Sequence, residues 1–321
     1  STDAETLEAL VEKHPIVPRI IEYRTLSKLC RTFLDGLLAV VRPENGRVHT
    51  RFNQNVTATG RISSTEPNLQ NIPVRTELGR EIRKAFVASA GNVLVDADYS
   101  QIELRLLAHM SGDEGMIRAF QEGDDIHRRT ASEVFGVPFD EVTNAQRSAA
   151  KAVNFGIVYG ISDFGLARNL GITRREAAHY IELYFARYPG IHRYMLQSVE
   201  DGKRDGFVKT LMGRRRELPE LRSSNYNTRS FGERVAMNMP IQGTAADIIK
   251  LAMVRVHEAL AREGLRAKLI LQIHDELIID TPAEEAERVK ALLAECMQNV
   301  IALSVPLRAD VKVGHSWFET K

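Results

Sequence analysis

The sequence predicts an α+β protein in which a few short strands frame a long, mostly helical segment. Apolar runs bounded by turn residues at 93–95 and 269–280 are typical of buried strands, and 305–317 has strand character as well. Residues 113–235 instead show helical apolar spacing punctuated by Gly and Pro. With 321 residues and 44% hydrophobic content, the chain can form about two domains, or one domain with a large insertion.

Composition narrows the classes of function. The net charge is only +1, so any nucleic-acid binding must come from local basic patches. Cys30 and Cys296 fit no zinc or disulfide spacing, and we expect reduced thiols in a cytoplasmic protein. No apolar run approaches the ~20 residues of a membrane span, no signal peptide is present, and the start without Met suggests a fragment. The motifs GxxxxGK[ST], HExxH, GxSxG and GxGxxG are absent.

The elements follow in order. Residues 1–38 have helical spacing interrupted at Pro15 and Pro18, and a polar, turn-rich stretch follows to about residue 80, which suits a hydrogen-bonding surface. The 93–95 strand ends in acidic residues, and helical spacing begins at Ser100. Farther on, the pattern predicts a helix that breaks near Pro240 and resumes through Ala259, and an amphipathic helix over 283–300.

The stretch LILQIHDELIID places acidic residues in the most strand-like part of the chain. It predicts a hairpin with strands at 269–273 and 277–280 and a turn formed by His274, Asp275 and Glu276. Burial of an isolated carboxylate is costly, so such groups pair, bind metal or take up a proton. From this stretch alone, a solvated turn and a metal site both remain open.

The stretch TNAQRSAAKAVNFGIVYG predicts a helix that begins after a capping box formed by Thr143 and Gln146. Four residues share one face of this helix at i, i+4 spacing: Arg147, Lys151, Phe155 and Tyr159. A cationic half-face followed by an aromatic half-face suits a ligand with a polyanionic end and a flat end, such as a nucleoside triphosphate. The alternative is an amphipathic surface helix anchored by its aromatic residues.

Two acidic residues, Asp98 and Asp275, each end or interrupt a predicted strand. If these strands are neighbours, the two carboxylates converge, and two like charges ~4 Å apart repel by roughly 4 kcal/mol at an effective dielectric near 20. Either one carboxylate is protonated or a cation lies between them, and carboxylates combined with phosphate ligands suit Mg²⁺. Two such ions can activate a 3′-hydroxyl and stabilise a leaving pyrophosphate. Together with the cationic helix, the acids predict metal-assisted nucleotidyl transfer.

Three motifs, DYSQIELR, RSAAKAVNFGIVYG and QIHDEL, resemble the polymerase motifs of the bacterial DNA polymerase I family and occur in the same order. Other segments that resemble the family lie around them: TGRISSTEPNLQNIPVR, DIHRRTASEVFG, FARYPGI, GRRRELP and NMPIQGTAADIIK. The resemblance covers essentially the whole chain. It implies a template-directed DNA polymerase that transfers a nucleotide from a dNTP to a primer 3′-hydroxyl with two Mg²⁺ ions and releases pyrophosphate.

The resemblance also implies roles for individual residues. The catalytic residues would be Asp98, Asp275 and Lys151, with Lys151 protonating the leaving pyrophosphate. The metal ligands would be Asp98, Asp275 and the backbone carbonyl of Tyr99, with Asp98 favoured over Asp96. Nucleotide contacts would come from Gln101, Glu103, His127, Arg147, Lys151, Phe155 and Tyr159. Primer and template contacts would come from Arg61, Arg75, Arg234, Asn238, Gln242 and His274, with a supporting role for Glu276.

The implied architecture is the right-hand polymerase fold, an antiparallel palm sheet with a large helical fingers insertion. Residues 1–38 would be a thumb remnant leading into the palm, 39–105 and 236–321 the two parts of the palm, and 106–235 the fingers. Family members carry most of a helical thumb and an exonuclease-like domain upstream, whereas here only the final thumb helix, near 16–34, is expected.

The expected partners are primer-template DNA and dNTP, with no membrane. The chain would be a monomer or would act with a separate chain that carries the upstream region.

Two alternatives remain. Phage-type single-subunit RNA polymerases share these motifs, but Glu103 argues against them because a carboxylate beside the sugar would crowd a ribose 2′-hydroxyl. The other alternative, from a different class, is a non-catalytic nucleic-acid-binding fragment. Primer extension with Mg²⁺ distinguishes an enzyme from such a binding protein.

Overall fold

The strands of the protein pair antiparallel and form one central sheet with two small satellites. This computed structural model describes residues 2–74 and 76–321. The strands are β1 (Arg51–Asn53), β2 (Ser63–Thr65), β3 (Asn92–Tyr99), β4 (Phe207–Lys209), β5 (Arg215–Glu217), β6 (Lys268–Ile273), β7 (Glu276–Pro282) and β8 (Ala309–Gly314). The central sheet has the order β6-β7-β3-β8, while β1 pairs with β2 and β4 with β5. The predicted α+β class with an antiparallel sheet is confirmed.

Helices fill most of the chain between β3 and β6. The α-helices are α1 (Ala4–Ala9), α2 (Ile16–Lys28), α3 (Gly36–Leu38), α4 (Glu77–Glu81), α5 (Ile102–Ser111), α6 (Glu114–Glu122), α7 (Ile126–Phe135), α8 (Asn144–Val158), α9 (Asp163–Leu170), α10 (Arg174–Arg187), α11 (Pro189–Asp205), α12 (Tyr226–Arg262) and α13 (Ala286–Gln298). A π-helical segment, Leu29–Asp35, joins α2 to α3. None of the helices within 2–74 or 76–321 is both long and apolar enough to cross a membrane.

The period of two along a strand gives the central sheet two different faces. Val95 and Ala97 of β3 point into the main core, which also takes side chains from α5, α12 and α13. Leu94 lies on the opposite face, in a second core with Ile278 and Trp317. Asp96 and Asp98 alternate with Val95 and Ala97, so the strand period places them on this second face. The sheet therefore carries its carboxylates on the side away from its main core.

The predicted hairpin forms, but its turn is shorter than predicted. β6 ends at Ile273 and β7 begins at Glu276, so the turn contains only His274 and Asp275. His274 has φ +51°, and positive φ at the first turn residue is typical of the primed turns that two-residue hairpins favour. The assignment of Glu276 to the turn was wrong, because its buried side chain is satisfied by partners from the C-terminal segment and can therefore occupy a strand position.

The predicted break near Pro240 was also wrong. α12 runs without interruption from Tyr226 to Arg262 with Pro240 inside it. Proline removes one helical hydrogen bond and usually kinks or ends a helix. Here Met239, Pro240 and Ile241 are all buried, and tertiary packing overrides the local preference. The helix thus stays continuous past the residues predicted to face the template.

Most other predicted elements are present. α13 matches the helix predicted over 283–300, and β8 lies in the stretch with strand character. The β4–β5 hairpin was not predicted within the mostly helical 113–235 region, because its three-residue strands are too short to show a period. Pro15 does separate α1 from α2, whereas Pro18 lies in the first turn of α2, where its missing N–H costs no hydrogen bond.

Candidate active site

A cleft of about 970 Å³ opens where β3 ends beside the β6–β7 turn. It is bounded by the sheet, by the start of α5 and by the C-terminal end of α8. The cleft brings together most of the residues predicted for the site: Arg61, Asp98, Tyr99, Gln101, Glu103, Phe155, Tyr159, His274, Asp275 and Glu276. These residues are as far apart in sequence as Arg61 and Glu276, so tertiary structure assembles the site.

The carboxylates of Asp98 and Asp275 lie close together because two antiparallel strands end at the same place. Asp98 pairs in register with Glu276, and the Tyr99 N–H donates to the Asp275 carbonyl over 3.1 Å. Partial burial of the carboxylate, opposed by the charge of Lys321 and reinforced by the nearby Glu276 and Asp275 carboxylates, raises the pKa of Asp98 to about 6. Burial also raises the pKa of Asp275, with Arg61 opposing it. The fold thus holds two partly desolvated carboxylates side by side.

These two carboxylates fit Mg²⁺. Within the described residues, neither accepts a hydrogen bond, and the nearest cation to Asp98 is Lys321, 4.0 Å away. Within 2–74 and 76–321 no group of three or more His, Cys, Asp or Glu side chains could hold a metal by itself. Mg²⁺ in nucleotide enzymes is held by one or two carboxylates together with water and substrate phosphates. The donor set therefore suits an ion that arrives with a phosphate ligand.

The carboxylates of Asp96 and Glu276 are buried, and both contact the C-terminal segment, although Oδ1 of Asp96 has no hydrogen-bond partner within the described residues. Glu276 accepts a 2.8 Å hydrogen bond from the Trp317 indole and forms a 2.7 Å ion pair with Lys321. The Thr320 hydroxyl donates to Asp96 over 2.8 Å, and burial beside Glu276 raises the pKa of Asp96. Asp96 is only 2% exposed and Asp98 is exposed, so Asp98 is the more accessible of the two.

Glu103 lies in the first turn of α5 and connects two other predicted residues. One of its oxygens accepts from the Arg61 guanidinium over 2.8 Å, and the other accepts from the Tyr159 hydroxyl over 2.9 Å. The Glu103 side chain is buried, whereas Tyr159 is 45% exposed. Gln101, which precedes α5, has φ +50° and turns the chain sharply from β3 into this helix. The turn brings Glu103 back over the end of the strand that carries Asp98.

The predicted cationic and aromatic face of α8 forms beside the cleft. The Thr143–Gln146 capping box is present, and Tyr159 ends the helix. Arg147 donates through Nε to Asp125 over 2.6 Å. The Lys151 side chain is exposed and lies 6.0 Å from the Phe155 ring centroid, with no ion-pair partner in the described part of the chain. Arg147 and Lys151 do not line the cleft itself.

His127 lies in the first turn of α7, and its ring centroid is 5.7 Å from that of Phe155. The imidazole is buried, and burial together with the cations Arg147 and Lys151 lowers its pKa to about 4, although Asp125 opposes this shift. Near neutral pH the ring is therefore uncharged. His127 does not line the cleft. It is connected to the site through its ring contact with Phe155 of α8.

The residues predicted to contact primer and template are more dispersed. Arg234 is exposed and, with Phe155 and Tyr159, lines a separate cavity of about 630 Å³ between α8 and α12. Asn238 bonds the Val158 carbonyl over 3.1 Å, and Gln242 is half-buried one turn farther along α12. The remaining predicted residue of this group, Arg75, falls outside the described residues.

Several residues with direct contacts to the predicted site were not selected from the sequence, among them Asp125, Asn154 and Lys321. Asp125 bonds Arg147, and Asn154 bonds His127. Both lie inside the motifs that carried the resemblance, so the motifs contained a signal for them. Lys321 lies between Asp96, Asp98 and Glu276, and no spacing in the sequence indicates that placement.

Comparisons with known proteins agree with this geometry. The sequence model described as "DNA polymerase family A" matches residues 1–319. The chain is 54% identical over 321 residues to DNA polymerase I of Caldicellulosiruptor bescii and 56% identical over 322 residues to that of Bacillus subtilis. All of this chain is matched in both cases, but it spans only 38% and 37% of those relatives.

Among solved structures, the chain is similar to the POL domain of an M. smegmatis polymerase in complex with a DNA primer-template and dNTP. The TM-score is 0.96 at 48% sequence identity, covering 100% of this chain and 57% of that chain. The family model matches nearly the full chain, and the fold is that of a polymerase domain, so both comparisons assign the chain to the same family. The chain belongs to DNA polymerase family A.

Proposed function

We propose that this chain is a template-directed DNA polymerase that transfers a deoxynucleoside monophosphate from a dNTP to a primer 3′-hydroxyl and releases pyrophosphate. The observation that carries the proposal is the pair of carboxylates, Asp98 and Asp275, held side by side without hydrogen-bond donors at the edge of a large cleft. The cationic face of α8 lies next to this cleft. Acids, cations and an aromatic surface are the groups that a metal-bound nucleoside triphosphate requires.

Each part of the site has a task in this reaction. Asp98, Asp275 and the carbonyl of Tyr99 would hold Mg²⁺, which when bound supplies Lewis-acid activation of a hydroxyl and charge stabilisation at phosphate. Arg147, Lys151 and His127 would bind the triphosphate. Phe155 and Tyr159 offer flat surfaces to the base pair, and Glu103 would lie against the sugar. The Lys151 ammonium would donate a proton to the leaving pyrophosphate.

We also propose the division of the chain into parts of a right hand. The central sheet strands lie at 92–99, 268–282 and 309–314. These ranges fall within the proposed palm segments, 39–105 and 236–321. Helices α6 to α11 fall within the proposed fingers, 106–235, and α2 lies in the proposed thumb remnant, 1–38. Duplex DNA would then lie across the cleft, with His274 near the primer terminus and Arg61 in the minor groove.

Primer extension tests the proposal directly. A labelled primer on a longer template should be extended with dNTP and Mg²⁺, and chelation of the metal should stop extension. Extension with ribonucleotides only would support an RNA polymerase instead. Binding of primer-template without extension at any Mg²⁺ concentration would reduce the chain to a nucleic-acid-binding fragment and contradict the proposal.

Lys151→Ala should slow the chemical step, because it removes a general acid whose contribution is typically 10²–10⁴-fold. Rapid-quench measurements of a single turnover report this step separately from product release. Lys151→Arg is the matched control, because it keeps the positive charge for phosphate binding but cannot release a proton near neutral pH. Arginine should restore dNTP affinity without restoring the rate. An unchanged single-turnover rate in Lys151→Ala would remove Lys151 from the mechanism.

DNA binding should be weak and strongly dependent on salt. The net charge of +1 leaves only local basic groups to contact phosphate, and each contact releases counterions. In the β4–β5 hairpin Arg214 forms a 2.7 Å ion pair with Asp247, whereas Lys209 is exposed. Lys209 and the exposed Arg234 of α12 are therefore the better candidates for phosphate contacts. Titration of a fluorescent primer-template at several salt concentrations measures the slope, expected near −0.9 per phosphate contact. Tight binding that persists at high salt would contradict this expectation.

A further inference from the structure

A polar cluster is buried between α7 and α8, beside the face proposed to bind the triphosphate. Asn154 and Thr130 are fully buried, and His127 is only 3% exposed. On α8, Asn154 lies between apolar core positions such as Val153 and Ile157, where an apolar side chain would pack without needing partners. A buried amide costs free energy unless it is hydrogen-bonded. The partners of Asn154 therefore indicate what its amide does.

The amide of Asn154 contacts both other members of the cluster. Its Nδ2 lies 3.1 Å from Nδ1 of His127, and its Oδ1 accepts from the Thr130 hydroxyl over 3.2 Å. An amide nitrogen has only N–H groups to offer, so Nδ1 of His127 must accept through its lone pair. In a neutral imidazole the proton is then on Nε2. The Thr130 hydroxyl lies 3.2 Å from Oδ1 and 3.1 Å from Nδ2 of Asn154 and so holds the amide in place. The amide, with Nδ2 toward the imidazole, selects the tautomer.

We propose that Asn154 is a positioning residue that holds neutral His127 in its Nε2–H tautomer, so that His127 offers a hydrogen-bond donor to the triphosphate. The inference rests on the proposed function, in which His127 contacts phosphate. Nε2 has no hydrogen-bond partner within the described residues and is not one of the fully buried unsatisfied atoms. It is therefore free to receive a ligand.

The tautomer matters because the ring is uncharged and phosphate only accepts hydrogen bonds. With the proton on Nδ1, a lone pair on Nε2 would face the phosphate oxygens and repel them. Burial of the ring disfavours an imidazolium that could donate from both nitrogens; among the charged groups around it, Arg147 and Lys151 act in the same direction and Asp125 opposes them. A neutral donor also avoids adding a third positive charge beside Arg147 and Lys151.

The tautomer can be measured in the protein without substrate. Long-range ¹H–¹⁵N correlation spectra of histidine-labelled wild-type protein near pH 7 distinguish the two neutral tautomers and the imidazolium. The chain has 9 histidines, and the signal lost in His127→Gln assigns the relevant one. We expect the Nε2–H pattern for His127. An Nδ1–H or imidazolium pattern in the wild type would overturn the proposal, whatever the polymerase activity.

A double-mutant cycle tests the consequence for substrate. Asn154→Leu, which preserves volume, should weaken dNTP binding to the complex with a dideoxy-terminated primer by about tenfold, as expected for one hydrogen bond to a charged group. Affinity for primer-template should not change. In a His127→Ala background, Asn154→Leu should have no further effect on dNTP affinity. An equal loss in both backgrounds would show a general structural role and contradict the proposal.

A second variant controls for the possibility that Asn154→Leu misfolds. Thr130→Val removes only the hydroxyl that orients the amide and should cause a smaller loss of dNTP affinity that also vanishes in the His127→Ala background. An effect of Thr130→Val that persists without His127 would contradict the proposed chain of contacts. A wild-type protein that fails to extend a primer contradicts the proposed function instead, while the wild-type spectrum still decides the tautomer.

Discussion

Asp98→Ala and Asp275→Ala should each abolish primer extension while leaving primer-template affinity nearly unchanged. The two carboxylates are the proposed metal ligands, and neither accepts a hydrogen bond within the described residues, so truncation leaves no partner unsatisfied. Because the pKa of each is raised in the folded protein, ionisation near neutral pH costs folding free energy. The alanine variants should therefore unfold at or above the wild-type temperature. Turnover and thermal unfolding are the two measurements.

Asp310→Ala is the matched control for these variants. Asp310 pairs in register with Asp98 on the other neighbouring strand and its side chain is exposed. The Asp310→Ala variant changes the local charge by the same amount as the other two variants but removes no proposed metal ligand. It should therefore keep most of the polymerase activity. If Asp98→Ala or Asp275→Ala retains even about a tenth of wild-type turnover, the two-metal assignment is wrong.

Glu103→Ala should admit ribonucleotides. In the wild type the buried Glu103 carboxylate is fixed by Arg61 at 2.8 Å and Tyr159 at 2.9 Å, so it cannot move aside for a 2′-hydroxyl at the proposed sugar position. A ribonucleotide would meet this fixed group and leave a buried polar group unpaired, at a cost of ~1–3 kcal/mol for each such group. The ratio of kcat/KM for deoxynucleotide over ribonucleotide should fall by roughly 10–10²-fold in Glu103→Ala.

Glu103→Gln separates exclusion by size from the charge of the carboxylate. Glutamine keeps the volume, its amide oxygen can accept from the Arg61 guanidinium, and its NH₂ group can donate to the Tyr159 hydroxyl oxygen. If size excludes the 2′-hydroxyl, Glu103→Gln should discriminate nearly as well as the wild type. A ratio that stays unchanged in Glu103→Ala would refute this role, and with it the main argument against an RNA polymerase.

Much of the fold could be predicted from local patterns. The β6–β7 hairpin, α8 with its capping box and α13 all carry periodicity or capping signals within a few turns of chain. Where a local signal was absent or was overridden, prediction failed. The β4–β5 strands are too short to show a period, and the burial of Pro240 keeps α12 continuous despite a residue that normally interrupts a helix.

The sequence by itself determined the chemical groups of the candidate site and their order along the chain. The i, i+4 spacing on α8 and the acidic ends of two strands required no tertiary information, because helix and strand periods decide them. Only the tertiary structure decided which acids are accessible. Strand pairing puts Asp98 beside Asp275, whereas Thr320 and Lys321, from the other end of the chain, contact the buried Asp96 and Glu276. Such long-range partners depend on packing between distant segments, and no local period encodes them.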